Sequence, residues 1–535
     1  MTRRLLTLSL LVLCCVAVTR AVPANPEPFC YTQPDGKVFQ LVLCGDEHGH
    51  LFMTTDGRLA TIGSDGFVSI GSQVSLKEKV RQWQKSSRHA RRKASGRRAK
   101  APSMGEARGL IVLVNFQDLA FTDTPQRISR LMNEEGYAEN GATGSARDYF
   151  VDQSFGQFQP VFDVIGPVTL DHPYSYYGAN LDNETEDDSN PEEMIFMAVK
   201  AAVEENLVGS LSDYDLDNDG TVDMVYVIYA GKGEADGGNA DTVWPHMWDI
   251  RETRFADQTV SGLHLGLYAC SAEKRRNNSY SGIGTFCHEY GHCLGLPDLY
   301  DTTYSGGFGM GSFDIMGHGN YLNSGNTPPA YSAFERYSLG WLQYEDLCEN
   351  QTVELEDIKE SNRACRLTSS NPDEYFTLEN RQPTGWDSYL PAEGLMILHI
   401  DYDETAWEEN TVNDNPDHQR VVIVPADGRL TSYSQAGDLY PGPGNNTEFT
   451  DESTPSSTLW DGSPLQKPVT GIQTTGSNVI SFQFRNETSD IDLPATTTGN
   501  LPTKAYNLLG QPARNTGKGI VILNQDHRKT KVIKP

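Results

Sequence analysis

His288 and His292 stand four residues apart, with Glu289 directly after the first. Residues i and i+4 of a helix lie one above the other on one face, so both imidazoles can bind one cation. Zinc accepts such nitrogens in a tetrahedral site and, in enzymes, keeps one position for water. A carboxylate beside the first histidine can take a proton from that water, whose pKa falls to about 7 on the metal. Five residues of this kind also arise by chance in amphipathic helices, so the continuation decides. Gly295 can adopt a left-handed conformation, end the helix and turn the chain back. Asp298 then supplies a third ligand, with Glu335, 43 residues beyond His292, as the alternative.

A second cluster is Asp215-Leu216-Asp217-Asn218-Asp219-Gly220-Thr221-Val222-Asp223. Carboxylates at positions 1, 3, 5 and 9 around a glycine at 6 suit the six to eight oxygens that calcium takes. Position 12 is Tyr226, not Glu, so the loop is the front of an EF-hand-type site in a structural role, not a whole one. The bland alternative is an acidic turn before a strand.

The pattern HExxHxxGxxD is that of the metzincin clan with Asp in place of the third His. Ser312-Phe313-Asp314-Ile315-Met316-Gly317-His318-Gly319 resembles the clan's Met-turn, with Met316 beneath the metal. Many metzincins carry a tyrosine two residues beyond that Met, where it supports the tetrahedral intermediate. Here His318 occupies the place, with Tyr321 slightly further on, and either is a candidate to polarise the substrate carbonyl.

The elements around these motifs alternate between helix and buried strand. Ile111–Phe116 and Met224–Ala230 are continuous apolar runs, typical of strands covered on both faces, and helical patterns occupy 125–134 and 144–152. This predicts an α/β domain over 106–345. From 346 to 486, segments such as Tyr375–Leu378 and Leu395–Ile400 are separated by Gly, Pro, Asn and Asp turns, which predicts a β-sandwich. Residues 22–80 read as short strands, followed by a helical stretch over 74–85.

The N-terminus has Arg3 and Arg4 before an apolar run from Leu5 to Val18, then Thr19-Arg20-Ala21. This is the pattern of a secretory signal peptide, 1–21, cut after Ala21. No later stretch approaches the roughly 20 apolar residues of a membrane span. Charge is segregated: residues 1–100 carry +9, residues 501–535 carry +6, and the 400 between them −44. A surface that acidic repels nucleic acid and anionic membranes. The run Arg88–Lys100 therefore joins a small basic unit to a large acidic one, and reads as a cleavable connector closing a propeptide over 22–105. Within it, Cys44 and Asp46 are candidate latency ligands for the metal. Seven cysteines follow the signal, with Cys30–Cys44 and Cys348–Cys365 as the local pairing candidates in an oxidising compartment.

The chain resembles the immune inhibitor A-like family of secreted bacterial metalloproteases. The matching segments are Gly144–Phe150 with Ser154-Phe155-Gly156, Val243–His246, His288–His292 through Gly295–Asp301, Leu339–Leu342 and Gly385–Leu390. The resemblance covers about 25–485 and implies a propeptide, a metzincin-like catalytic domain, a β-sandwich and protein substrates. After a polar linker over 487–503, the tail 504–535 resembles the sorting domain of the type IX secretion system, which would make secretion machinery a partner. Taken together, the expectation is a secreted or cell-surface bacterial zinc endopeptidase made as a zymogen. In it, zinc sits on His288, His292 and Asp298, Glu289 is the base, and calcium is structural. The alternatives are a non-catalytic binding protein on a protease-like scaffold, and a zinc amidase acting on cell-wall peptides.

Overall fold

The computed structural model describes residues 20–47, 49–63, 65–71, 100–181, 187–476, 478–485, 504–506, 519–525 and 528–534. The expected signal sequence up to Thr19, the helix expected over 74–85, the expected connector up to Ala99 and the expected linker 487–503 lie outside them.

A six-stranded sheet carries the candidate chemistry. Its spatial order is Arg20–Ala21, His246–Asp249, His264–Lys274, Thr221–Lys232, Gly105–Asn115 and Phe158–Thr169. The last four are parallel, and His246–Asp249 and Arg20–Ala21 are added antiparallel at one edge. The two apolar runs singled out in the sequence are the central strands. Alternate side chains of a strand face opposite ways, and the core divides accordingly. Ile111, Leu113, Tyr226 and Ile228 pack with Phe286 and Tyr290 of the helix Gly284–Leu294 on one face. Leu110, Val112, Val114, Val225 and Val227 pack with the helix Pro191–Glu204 on the other. The helices expected over 125–134 and 144–152 run Pro125–Asn133 and Ala146–Gln153. Thr124 caps the first, and a Ser145/Asp148 capping box starts the second.

Residues 345–485 form two sheets. Glu345–Asp346, Cys365–Thr368, Glu374–Arg381, Gly394–Asp401 and Val421–Ile423 make one. Gln351–Leu355, Val479–Phe484, Val469–Thr475 and Glu448–Phe449 make the other. Leu367, Phe376, Leu395 and Ile397 meet Val353, Phe449, Ile472 and Phe482 in a core between them. The first sheet's opposite face joins the core beneath the helix Gly284–Leu294 through Tyr375, Met396, Leu398 and Ile400. Because apolar packing crosses residue 345 in this way, the chain up to Arg485 forms one compact unit. The small N-terminal region is a five-stranded antiparallel meander from Phe29–Thr32 to Val68–Ile70.

The tail, assigned to a second unit from Asn486, contains a three-stranded antiparallel sheet of Lys504–Tyr506, Gly519–Gln525 and Arg528–Lys534. Among the described residues no helix is long and apolar enough to cross a membrane.

Neither expected disulfide forms. Cys30 lies opposite Gln40 in its hairpin, whereas Cys44 lies four residues further along and opposite Leu51. At roughly 3.3 Å per residue that offset is beyond the reach of a disulfide, and both thiols are free. Cys365 is a buried free thiol on the strand paired with Leu378.

Candidate active site

Gly284–Leu294 is helical and buried except at Thr285, and Gly295, at φ 102°, ends it. Leu296 N–H donates to Gly291 O at 3.1 Å, so the chain reverses and brings Asp298 back beside the helix. Gly291, between the two histidines, lets Met316 approach: a Cβ there would lie 2.9 Å from Met316 Sδ. Met316 is fully buried, and its carbonyl accepts from Leu299 N–H at 2.9 Å, tying the turn to the segment that carries Asp298.

His288 Nδ1 lies 2.7 Å from Ile315 O, and His292 Nδ1 lies 2.8 Å from Leu296 O. A carbonyl can only accept, so both Nδ1 atoms carry the proton and both Nε2 atoms present lone pairs. The two Nε2 atoms are 3.1 Å apart, and each is 3.3 Å from Asp298 Oδ1. Asp298 Oδ1 has no hydrogen-bond donor, although it is buried. Three converging lone-pair atoms repel one another unless a cation lies among them. A tetrahedral site with bonds of about 2.05 Å has edges of about 3.3 Å, so these donors fit zinc in both chemistry and spacing. Burial pushes His292 down to about 4 against the pull of Asp298, which keeps the imidazole neutral as a ligand must be. Burial alone would raise Asp298, yet His292 and His288 hold it below the usual carboxylate range.

Glu335, the alternative ligand, is elsewhere. Its Oε2 accepts from Ser332 N–H and Oγ–H, at 2.7 and 2.9 Å, capping the helix Ala333–Ser338. Burial and the neighbouring Asp314 raise its carboxyl well above its ordinary range.

Glu289 is fully buried, and burial pushes its carboxyl far above the ordinary value, partly offset by the Val22 amide. That amide comes from a segment the sequence reading passed over. Arg20–Ala21 pairs with the edge strand in the register Arg20↔Met247 and Ala21↔His246, and the chain continues across the site. Val22 N–H donates to Glu289 Oε1 at 2.9 Å. Tyr300 Oη donates to Ala21 O at 2.9 Å, Trp244 Nε1 to Val22 O at 2.9 Å, and Tyr321 Oη to Pro23 O at 2.6 Å. Ala24 N–H and Asn25 N–H donate to Gly45 O and Ala235 O.

The candidate latency ligands Cys44 and Asp46 are not members of the three-residue cluster. Among the described residues, only His288, His292 and Asp298 form the metal-competent cluster here. Cys44 and Asp46 lie on the strand Val38–Asp46, whose Gly45 carbonyl holds Ala24, and burial raises the Cys44 thiol to about 11. His318 stands 5.8 Å from the Tyr300 ring, and burial lowers it to about 4; the donor at the Ala21 carbonyl is Tyr300. Tyr300 lies in the motif after Asp298 but had no assigned role. Asn410 had no local signal at all: its side chain grips Asp298 from 112 residues away.

In the acidic loop, carboxylate oxygens of Asp215, Asp217 and Asp219 lie within 4.8 Å of one another. Asn218 and Gly220 adopt positive φ, which folds the loop tightly. Asp223, expected as a fourth ligand, instead accepts Leu216 N–H at 2.7 Å and closes the turn.

Residues 112–345 match the family profile described as immune inhibitor A peptidase M6, catalytic domain. Over 444 residues the chain is 26% identical to pre-pro-metalloprotease PrtV of Vibrio cholerae serotype O1, covering 70% of this chain and 46% of that protein. Over 207 residues it is 28% identical to immune inhibitor A of Bacillus thuringiensis subsp. alesti, covering 35% of this chain and 30% of that protein. The chain thus spans less than half the length of either relative. These similarities support a metallopeptidase domain of that family in the segment that holds the His288–His292–Asp298 cluster.

Proposed function

We propose that the chain is a secreted, zinc-dependent endopeptidase made as a zymogen. The observation that carries this reading is the convergence of His288 Nε2, His292 Nε2 and Asp298 Oδ1 at 3.1–3.3 Å, with Glu289 on the same helix. Zinc held by those three atoms would supply Lewis acidity toward a water and toward the substrate carbonyl. Glu289 takes the proton of the attacking water and returns it to the leaving amine. Its reach supports both halves of that role, since Oε1 already lies 2.9 Å from a backbone nitrogen threaded through the site. An extended substrate adds to the edge strand His246–Asp249 by backbone pairing, as the segment Arg20–Ala21 does.

The N-terminal segment supports latency, because it occupies the ground a substrate needs. With the signal cut after Ala21, the Val22 nitrogen becomes an α-ammonium facing the Glu289 carboxylate. Removal of 22–105 then frees the cleft. Calcium on Asp215, Asp217 and Asp219 would rigidify the turn leading into the central strand Thr221–Lys232, and the tail 504–535 would address the protein to secretion machinery.

The test is digestion of casein by trypsin-nicked protein, with and without 1,10-phenanthroline, followed by zinc re-addition. Loss on chelation and recovery with zinc are expected. Nicked protein that leaves casein intact sinks the reading.

A further inference from the structure

One peptide bond in the site is held at both ends by groups that could act on it. The Ala21–Val22 peptide directs its N–H to Glu289 Oε1 at 2.9 Å and its carbonyl oxygen to Tyr300 Oη at 2.9 Å. The remaining contacts of the segment are of another kind. Beyond the bond, Trp244 and Tyr321 donate to the carbonyls of Val22 and Pro23, and Gly45 and Ala235 accept from Ala24 and Asn25; before it, Arg20 donates to Leu296 O and Trp407 O and pairs with Met247.

The segment runs antiparallel to the edge strand, in the way an extended peptide joins a sheet. Its geometry is that of a peptide across a hydrolytic site, with one amide nitrogen on the proton-carrying carboxylate. We propose that Tyr300 is the catalytic residue that polarises the scissile carbonyl, and that the Ala21–Val22 bond marks the register in which substrates bind. This rests on the endopeptidase reading and deepens it.

In the step so assigned, the oxygen of water bonds to the carbonyl carbon and the C=O π pair moves onto the carbonyl oxygen. Glu289 holds the proton that the water gives up. Tyr300 donates its O–H to that oxygen as negative charge develops, and keeps its own proton. Collapse breaks the C–N bond, and the nitrogen leaves with the proton from Glu289. A donor aimed at the oxygen that gains charge contributes more in the transition state than in the ground state. Donors to neighbouring carbonyls contribute equally to both states and act through binding. The hydroxyl of Tyr300 is fixed for this role: its residue follows Asp298 by two positions, and Leu299 between them is pinned at both N–H and C=O, by Met316 and Met310.

The experiment compares trypsin-nicked full-length wild type with Tyr300→Phe and Tyr321→Phe on a quenched peptide, reading kcat and KM separately. Loss of one oxyanion donor costs about 10²–10³-fold in kcat, so Tyr300→Phe should fall by that factor with KM within about twofold. Tyr321→Phe should raise KM with kcat nearly kept. Affinity for a phosphinic peptide, which copies the tetrahedral species without being cleaved, should fall in Tyr300→Phe by a similar factor. A Tyr300→Phe enzyme with wild-type kcat and wild-type phosphinate affinity overturns the proposal, as does the same loss appearing in His318→Ala instead. Should Tyr300→Phe fail to fold, a crystal structure of nicked wild type with the phosphinic peptide decides. Tyr300 Oη within hydrogen-bond distance of a phosphinyl oxygen upholds the assignment, and any other donor there overturns it. Wild type without proteolytic activity would instead sink the endopeptidase reading on which it stands.

Discussion

Asn410 grips Asp298 from both sides: its Oδ1 accepts Asp298 N–H at 2.7 Å, and its Nδ2 donates to Asp298 Oδ2 at 2.6 Å. The second oxygen of that carboxylate is thereby left to face the two histidines. Asn410 follows the short helix Glu404–Glu408, beyond the sheet that packs on the catalytic core. Trp407 of that helix donates to Gly295 O at 3.0 Å, where the site helix turns. The region after residue 345 is therefore part of the site's frame.

Removing this grip should loosen the third ligand. Such supporting hydrogen bonds are worth about 10–100-fold in metal affinity. Asn410 sits at φ 55°, so Asn410→Ala strains the backbone whereas Asn410→Gly does not. Both variants should release zinc to a competing chelator at about 10–100-fold lower chelator concentration than wild type. If Asn410→Gly holds zinc like wild type, the role assigned to the amide is wrong.

How far the sequence carried depended on the range of the signal. The helix face, Gly295 and Asp298 are encoded within eleven residues, and the central strands show as continuous apolar runs, so both were legible. Asn410 acts on Asp298 through tertiary contact alone, with no spacing pattern to reveal it. The cysteines misled because proximity in sequence says nothing about register: Cys30 and Cys44 share a hairpin but not a rung. The latency residues were sought among side chains that bind metals. The contact made on Glu289 is a backbone amide at Val22, a type of group every residue has.

Glu289→Ala should separate chemistry from metal binding. His288, His292 and Asp298 remain, so zinc content should stay at the wild-type level. Casein hydrolysis should fall by about 10²–10⁴-fold, the usual contribution of a general base. Zinc lost together with activity would show that Glu289 holds the site together, not that it moves protons.

The acidic loop makes a separate test. Asp215, Asp217 and Asp219 crowd their oxygens within 4.8 Å, an arrangement whose mutual repulsion a calcium ion would relieve. Calcium at 100 times its Kd adds about 2.7 kcal/mol to stability. Melting temperature should therefore drop by several degrees in EGTA with zinc held constant, and Asp219→Ala should melt at the same temperature with or without EGTA. Identical wild-type melting curves in calcium and in EGTA would remove the ion from the structure.

Asp438 predicts a pH dependence outside the catalytic site. Both of its carboxylate oxygens are buried without a donor, and burial, with help from Asp427, pushes it up to about 7. In the unfolded chain a carboxyl ionises near an ordinary value of about 3.9. Between about 4 and 7 the unfolded state thus gains charge that the folded state resists, and stability falls as pH rises. Below that window the penalty is absent, and above it the penalty is complete. Asp438→Asn cannot ionise, so its melting temperature relative to wild type should climb between pH 4.5 and 8. A constant difference across that range would rule out a raised Asp438.

The last prediction concerns activation. The precursor should be nearly silent, because Val22 to Asn25 occupy the cleft through hydrogen bonds to Glu289, Trp244, Tyr321, Gly45 and Ala235. A cut within Arg88–Lys100 severs the covalent link but leaves those bonds in place. It also leaves the attraction between residues 22–100, of charge +6, and a central body of −44. That attraction is screened by salt. Nicked protein should therefore gain activity only partly at low ionic strength and further at about 0.5 M salt, as the propeptide dissociates. Activity against a quenched peptide, gel filtration of the nicked sample and sequencing of the new N-terminus follow the three steps together. A precursor already fully active, or a nicked form whose activity falls with salt as the propeptide leaves, would show that residues 22–105 assist folding without inhibiting the enzyme.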